Sequence, residues 1–254
     1  MTLRPDRRTL LRLAALAPAL ALPAPLSARI GPPAGSQAPG YFRFTVGEFG
    51  ITSVSDGNLE TPAELLGVNA DPEEVAAFLE AHFLSTSTNY AHTNHAVIDA
   101  GDARVLVDVG SGHRFQASAG RLMANLDAAG IAPDSITHVI LTHAHPDHVW
   151  GMIDDFDEPI LPQAELHIGA AEYDWWMTDG RVDMVPEASK SFVVGAVNSL
   201  APVRDRLQMR KDGDEIVPGV TLMSTPGHTA GHMSVMVESA GQQLMVIGDA
   251  ANHA

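Results

Sequence analysis

The stretch "LTHAHPDHVWG", residues 141–151, places His143, His145, Asp147 and His148 within six positions around Pro146. Neutral imidazole is the commonest nitrogen ligand for zinc-like ions, and a carboxylate suits a harder position beside it. His143 and His145 are two apart behind an apolar run, so both rings can face one side. Pro146 ends the extended path, and the turn can return Asp147 and His148 to the same spot. With 12 histidines in the chain, pairs arise by chance. A His-x-His-x-Asp-His run directly behind an apolar strand points to a metal instead.

A catalytic centre draws ligands from several strand ends. "STPGHTAGH", residues 224–232, supplies His228 after a Pro226-Gly227 turn, and "MVIGDA" reads as the end of a buried strand with Asp249 at its loop. The chain has no cysteine, which excludes disulfides, thiolate zinc sites and a thiol nucleophile. No "GxSxG" occurs, so an activated serine is not apparent either. Two nearby divalent ions would make hydroxide available at neutral pH and polarise a carbonyl or phosphoryl oxygen. Asp147 or Asp249 could relay a proton to the leaving group. The chemistry these residues point to is hydrolysis.

The elements that must position them follow from local pattern. "YFRFTVGEFGITSVSDG" alternates and reads as two short strands. Asp71 as cap with Pro72 at the first helical position opens a helix through residues 72–83. "HAVIDAGDARVLVDVGSG" reads as a hairpin turning at Gly101-Asp102, and "AGRLMANLDAAG" as a helix stopped by Gly130. "ITHVILTH" is nearly all apolar, hence a strand covered on both faces. "AELHIGA" is another strand, "AAEYDWWMTDG" and "EASKSFVVGAVNSL" are helices, and three strands follow from Gly219 onward. "DEPILPQAE" and "KDGDE" read as solvated loops. Runs of strands with interspersed helices suit layered sheets with helices outside.

The 254 residues suit one sizeable domain, and the net charge of -16 argues against nucleic acid or an anionic membrane as main partner. The start, "RPDRRTLLRLAALAPALALPAPLSA", has a basic region with Arg7 and Arg8, a short apolar stretch and small residues. Residues 1–28 therefore resemble a twin-arginine export signal, with 29–40 as a Pro/Gly linker and 41–254 as the folded domain. This implies a periplasmic or secreted protein with no stable membrane insertion once the signal is removed.

"HAHPDH", "TPGHTAGH" and "IGDA", in this order and spacing, resemble the metallo-β-lactamase superfamily. "LVDVG", residues 106–110, is similar to its early strand-end motif, in which Asp108 would play a structural role. The opening "APGYFRFTVGEFGITSVSDG" and the "SKSFVVGA" region resemble the methyl parathion hydrolase branch. The resemblance implies an α/β four-layer αββα sandwich. It also implies two divalent metal ions, with zinc the first expectation and manganese, iron or cobalt compatible with a His/Asp set. His143, His145 and His228 would hold the first ion, Asp147 and His148 the second, and Asp249 would bridge them. A hydroxide shared by the ions would be the nucleophile. The family supplies one more histidine from a later strand, and His253 is too near Asp249 to replace it. The expectation is therefore a C-terminally incomplete fold.

The implied substrate is a small molecule: an ester, a lactone or a phosphotriester. The family's β-lactamases commonly place a thiolate in the second site, where this chain offers Asp249. A thioester hydrolase of the hydroxyacylglutathione type shares the motifs, and a metal-binding but inactive fragment is the remaining alternative. In the phosphotriesterase-like branch, positions matching Phe115, Trp176 and Phe192 line the pocket, and Trp150 follows His148 directly. His232 reads as structural or as support for a ligand, as do His92 and His95 near Asp108. His82, His113, His138 and His167 carry no motif and default to structural roles. A homodimer is compatible with the sequence.

Overall fold

The computed structural model describes residues 40–251. The stretch expected to be an export signal, nearly all of the expected linker and His253 lie outside the described residues. Among the described residues no helix is long and apolar enough to cross a membrane.

Period-two alternation in "YFRFTV" gives β1 (Tyr41–Val46), which pairs antiparallel with β2 (Phe49–Pro62). The Asp71 side chain accepts from the Glu73 N–H and Pro72 takes the first helical position, which starts α1 (Pro72–Ala81). β3 (Thr88–Ala100) and β4 (Ala103–Val107) form the expected hairpin, with Gly101 left-handed at its turn. Then come α2 (Leu122–Ala128), β5 (His138–Leu141), the single turn α3 (Pro146–Val149), β6 (Glu165–Gly169), α4 (Ala170–Trp176), α5 (Arg181–Met184) and α6 (Lys190–Leu200). β7 (Leu207–Arg210), β8 (Glu215–Val217), β9 (Val220–Ser224), β10 (Met233–Ser239) and β11 (Gln242–Val246) complete the described elements.

A seven-stranded sheet runs in sequence order from β1 to β7, and a four-stranded sheet runs β11-β10-β9-β8. The pairs β4·β5, β5·β6 and β6·β7 are parallel, so helical crossovers must join them and lie outside the sheet. One core fills the space between the sheets, where Ile51, Ile98, Val107 and Ile140 meet Val220, Leu222, Val235 and Val237. A second core lies on the other face of the large sheet, where Leu106, Val139, Leu141 and Ile168 meet Leu126 of α2, Trp176 of α4 and Val193 and Leu200 of α6. β5 is shared between the two cores, and its Val139, Ile140 and Leu141 are fully buried. That explains its uninterrupted apolar sequence.

The described layers are therefore helices, large sheet, small sheet: three of the four expected in the αββα sandwich. The outward face of the small sheet carries the half-exposed Thr221, Met223, Met236 and Met245. Two readings of the sequence need correction. Among the described residues β11 pairs with β10 alone, and its Leu244, Met245 and Val246 are half-buried rather than buried. Its apolar residues look the same in sequence whether one neighbour pairs with it or two. β7 and β8 were not anticipated, because a four-residue and a three-residue strand are too short to show a period.

Candidate metal centre

The large sheet delivers the histidine run to its C-terminal edge. β5 ends at Leu141, and the chain then crosses Thr142 to His145 before α3 begins at Pro146. Pro146 at the first helical position makes this turn sharp, and it carries Asp147 and His148 back over the strand end. The small sheet delivers the rest. His228 lies in the loop between β9 and β10, and Asp249 lies just past β11.

Two groups of ligand atoms converge. His143, His145 and His228 form one, with His143 Nε2 3.1 Å from His145 Nδ1 and His145 Nδ1 2.8 Å from His228 Nε2. A tetrahedral zinc with nitrogen ligands spaces them about 3.3 Å apart, so these nitrogens surround one ion position. His143, His148 and Asp249 form the second group at ligand spacing, with His148 Nε2 3.5 Å from Asp249 Oδ1 and 3.3 Å from Asp147 Oδ2 beside it. Asp249 Oδ2 lies 3.3 Å from His228 Nε2, so this carboxylate stands between the two groups. All six sequence-derived ligand candidates meet here.

The residues present fit metal cations by their own chemistry. His148 Nε2 is buried and makes no hydrogen bond, a costly state for a polar atom unless something else occupies its lone pair. Burial holds the His143 imidazole well below its ordinary range, with His148 adding to the effect. Burial and His228 lower His145 to about 4. Both rings are therefore neutral and ligand-ready at neutral pH. Burial opposes charge on His148, yet Asp108 and Asp147 outweigh it and raise its pKa well above the usual value. Burial likewise opposes charge on Asp147, but His148 overrides it and holds the carboxyl at about 2. The second position thus favours positive charge, whether a proton or a metal cation.

Asp108 orients both rings nearest β5. It is buried and left-handed at φ 62, a conformation Asp tolerates better than most residues. Its Oδ1 accepts from the Thr142 N–H at 2.7 Å, and its Oδ2 accepts from Thr142 Oγ1 and from His148 Nδ1, each at 2.8 Å. His148 therefore keeps a proton on Nδ1 and turns Nε2 inward, where it takes either a second proton or a metal cation. Thr142 Oγ1 donates to Asp108, so it can accept from His143 Nδ1 at 3.1 Å, which frees His143 Nε2. The structural role expected for Asp108 is thus the setting of two tautomers.

His232 supports Asp249. Its Nε2 accepts from the Asp249 N–H at 3.0 Å, and its Nδ1 donates to Thr225 Oγ1 at 2.8 Å. Thr225 Oγ1 bonds Ser234 Oγ at 2.8 Å, and Ser234 Oγ donates to the Ile247 carbonyl. This ring of hydrogen bonds fixes the backbone on both sides of Gly248. His95 is buried with its ring edge-on to His148, and His92 lies further along β3. Glu172 was not singled out from the sequence; it is fully buried beside Ala144 and Thr229.

A cavity of about 470 Å³ opens beside the first group. Its lining includes His145, His228, Trp175, Trp176, Phe192 and Val193. Two of the expected wall residues, Trp176 and Phe192, are therefore in place. Phe115 and Trp150 do not line it: Phe115 packs edge-on behind Phe192 at 6.0 Å, and Trp150 packs edge-on to Phe115 at 5.3 Å. They support the wall from behind, which sequence proximity to the motifs could not reveal.

His138, Glu165 and His167 also stand at ligand spacing, on the face of β5 and β6. These groups are satisfied among themselves. Arg210 Nε donates to His167 Nδ1, His138 Nδ1 lies 3.2 Å from His167 Nε2, and Gln208 donates to Glu165. A guanidinium in contact with the cluster disfavours a cation there.

Residues 91–253 match the profile of the metallo-beta-lactamase superfamily, which spans well over half of the chain. The chain belongs to the metallo-beta-lactamase superfamily. It is similar to a probable metallo-hydrolase of Mycobacterium tuberculosis, 25% identical across 78% of this chain and 69% of that protein. It is also similar to an N-acyl homoserine lactonase of Bacillus thuringiensis, 27% identical across 50% of this chain and 44% of the lactonase. Among solved structures, the hydrolase AbOPH of the beta lactamase superfamily superposes with a TM-score of 0.76 at 26% identity, covering 84% of this chain and 75% of that one. The dizinc quorum-quenching lactonase AidC gives the same TM-score at 22% identity, covering 81% of this chain and 73% of its own, a likeness of fold. With these superfamily relatives, the protein is a metal-dependent hydrolase.

Proposed function

We propose that the protein is a dinuclear hydrolase of uncharged esters or lactones, with phosphotriesters as a further substrate class. The observation that carries this reading is the convergence of two adjoining ligand groups, the first of which opens through His145 and His228 onto an apolar cavity. When bound, two divalent ions, zinc in the first instance, acidify a water and polarise the oxygen of the bond to be cleaved. The chain's own residues do the rest. His143, His145 and His228 would hold one ion, and Asp147 and His148 the other. Asp249 would reach both and stands where it can pass a proton to the leaving group. Trp176, Phe192 and Val193 would seat an acyl or aryl group and exclude water from the bond under attack.

The relatives that are N-acyl homoserine lactonases support the lactone part of this range. A glutathione thioester is disfavoured, because no lysine or arginine lines the cavity to meet its carboxylates. The test is turnover by the zinc-loaded chain of a p-nitrophenyl ester, an N-acyl homoserine lactone, a phosphotriester and a glutathione thioester. Faster turnover of an uncharged ester or lactone supports the reading. Preference for the thioester, or zinc binding with no turnover at all, refutes it.

A further inference from the structure

Glu172 lies in the first turn of α4 and is completely buried. No lysine or arginine pairs with it among the described residues. Its carboxyl group receives four hydrogen bonds instead. Oε1 accepts from the Ala144 N–H at 3.0 Å and from the Trp176 indole N–H at 2.6 Å. Oε2 accepts from Thr229 Oγ1 at 2.7 Å and from the Gly231 N–H at 2.9 Å. Three of these partners can only donate, so both oxygens must serve as acceptors.

The partners come from three places that the site needs in register. Ala144 lies between His143 and His145. Thr229 and Gly231 follow His228 in the other ligand loop. Trp176 is part of the cavity wall. One backbone hydrogen bond joins the bases of the two loops, from the Met233 N–H to the Thr142 carbonyl at 2.9 Å; at the tips, among the described residues, the contact is between His145 and His228 ring nitrogens that both face the ion position. Two imidazoles aimed at one point do not hold each other. The loops also meet α4 closely, since a Cβ on Gly231 would lie 2.0 Å from the Glu172 nitrogen. One side chain thus ties a ligand loop from each sheet to the wall of the cavity.

We propose that Glu172 is a positioning residue that sets the spacing of the three first-site histidines and links it to the indole of Trp176. The proposal rests on the metal-centre reading given above. A carboxylate is needed because an amide in its place must turn its NH₂ toward obligate donors on one side. Glu172→Gln would keep the Trp176 and Ala144 bonds only by presenting its amide nitrogen to the Gly231 N–H. That loosens the tips of the two ligand loops against each other, while the Met233–Thr142 bond still holds their bases and no ligand is removed.

The test uses the full chain and Co²⁺, whose visible absorption reports the ligand geometry directly. Affinity is read by competition with a chromophoric chelator, alongside urea unfolding of the metal-free proteins. Glu172→Gln is expected to weaken the first cobalt ion 10- to 100-fold and to shift its absorption bands. Thr229→Ala removes one hydroxyl donor and leaves the carboxylate in place. It is expected to weaken the ion several-fold, with a smaller band shift and little change in the urea midpoint. It decides the matter if Glu172→Gln does not fold. Wild-type affinity and bands in Thr229→Ala, or in a folded Glu172→Gln, overturn the proposal. A wild-type chain that takes up no cobalt refutes the metal-centre reading itself, a result distinct from uptake that is insensitive to these substitutions.

Discussion

Replacing Asp108 by Asn perturbs the metal centre without touching a ligand. Asn is nearly the same size and tolerates the left-handed backbone that Asp108 adopts at φ 62. The carboxylate accepts from the Thr142 N–H on one oxygen and from Thr142 Oγ1 and His148 Nδ1 on the other. An amide offers one acceptor and one donor, so one side must fail. If its NH₂ faces the Thr142 N–H, a buried donor is left unpaired, at a cost of about 1–3 kcal/mol. If its NH₂ faces His148, the ring must carry its proton on Nε2, and that proton points into the second metal position. The second arrangement removes the ligand lone pair while the ring stays in place. Loss of an orienting partner weakens metal binding about 10- to 100-fold, or roughly 1.4–2.7 kcal/mol. Zinc titration under chelator buffering, with elemental analysis after gel filtration, should show the weaker ion lost and the tighter one retained. Urea unfolding of the metal-free proteins measures the separate cost to the fold. Unchanged affinity for both ions in Asp108→Asn would refute the tautomer argument.

Three further outcomes follow from the geometry. His145→Ala leaves the first group with His143 and His228 alone, so elemental analysis should show that ion lost on gel filtration. Gly248 is left-handed at φ 53, and a Cβ there would lie 2.7 Å from His232 Nε2. Gly248→Ala should therefore push Asp249 out of register and lower kcat at least tenfold, read by steady-state assay, together with a lower urea midpoint from the strained left-handed alanine. Burial, together with Arg210 and His138, lowers the His167 pKa from 6.5 to about 4. The unfolded chain then binds the proton more readily than the folded one. The stability this group contributes is complete above pH 6.5 and is lost as pH falls from 6.5 to 4. His167→Gln should flatten the pH dependence of urea unfolding in that window by about 2 kcal/mol, a value discounted for solvent reaching Arg210.

The convergence of the candidate ligands was legible because most of them are contiguous in sequence. His143, His145, Asp147 and His148 fall in one turn, and His228 follows a Pro-Gly turn that can do little else. The core strands were legible for a similar reason: β5 is apolar throughout because both of its faces are covered. The supporting residues were not, because their partners are remote in sequence. Glu172 bonds groups 28, 57 and 59 residues away, and two of its four partner atoms are backbone N–H groups that no residue type announces. In "AAEYDWW" it looks like a surface acid of a short helix. The available signal was its place one turn before Trp176, which puts a carboxylate on the apolar face. Thr142 was hidden in the same way, as a small polar residue at the end of an apolar strand. Asp56 is a third case, a buried carboxylate that accepts from the Ser111, Gly120 and Leu122 N–H groups and fixes the loop behind β4. Phe115 and Trp150 show the converse: nearness to a motif in sequence placed them near the cavity but behind its wall.

Crystals of the zinc-loaded protein, measured on either side of the zinc absorption edge, test the account most directly. Anomalous difference maps should show two peaks within one cavity. One should lie among His143, His145 and His228, the other among Asp147, His148 and Asp249. A map with no peak between these side chains, from protein that elemental analysis shows to contain zinc, would contradict it.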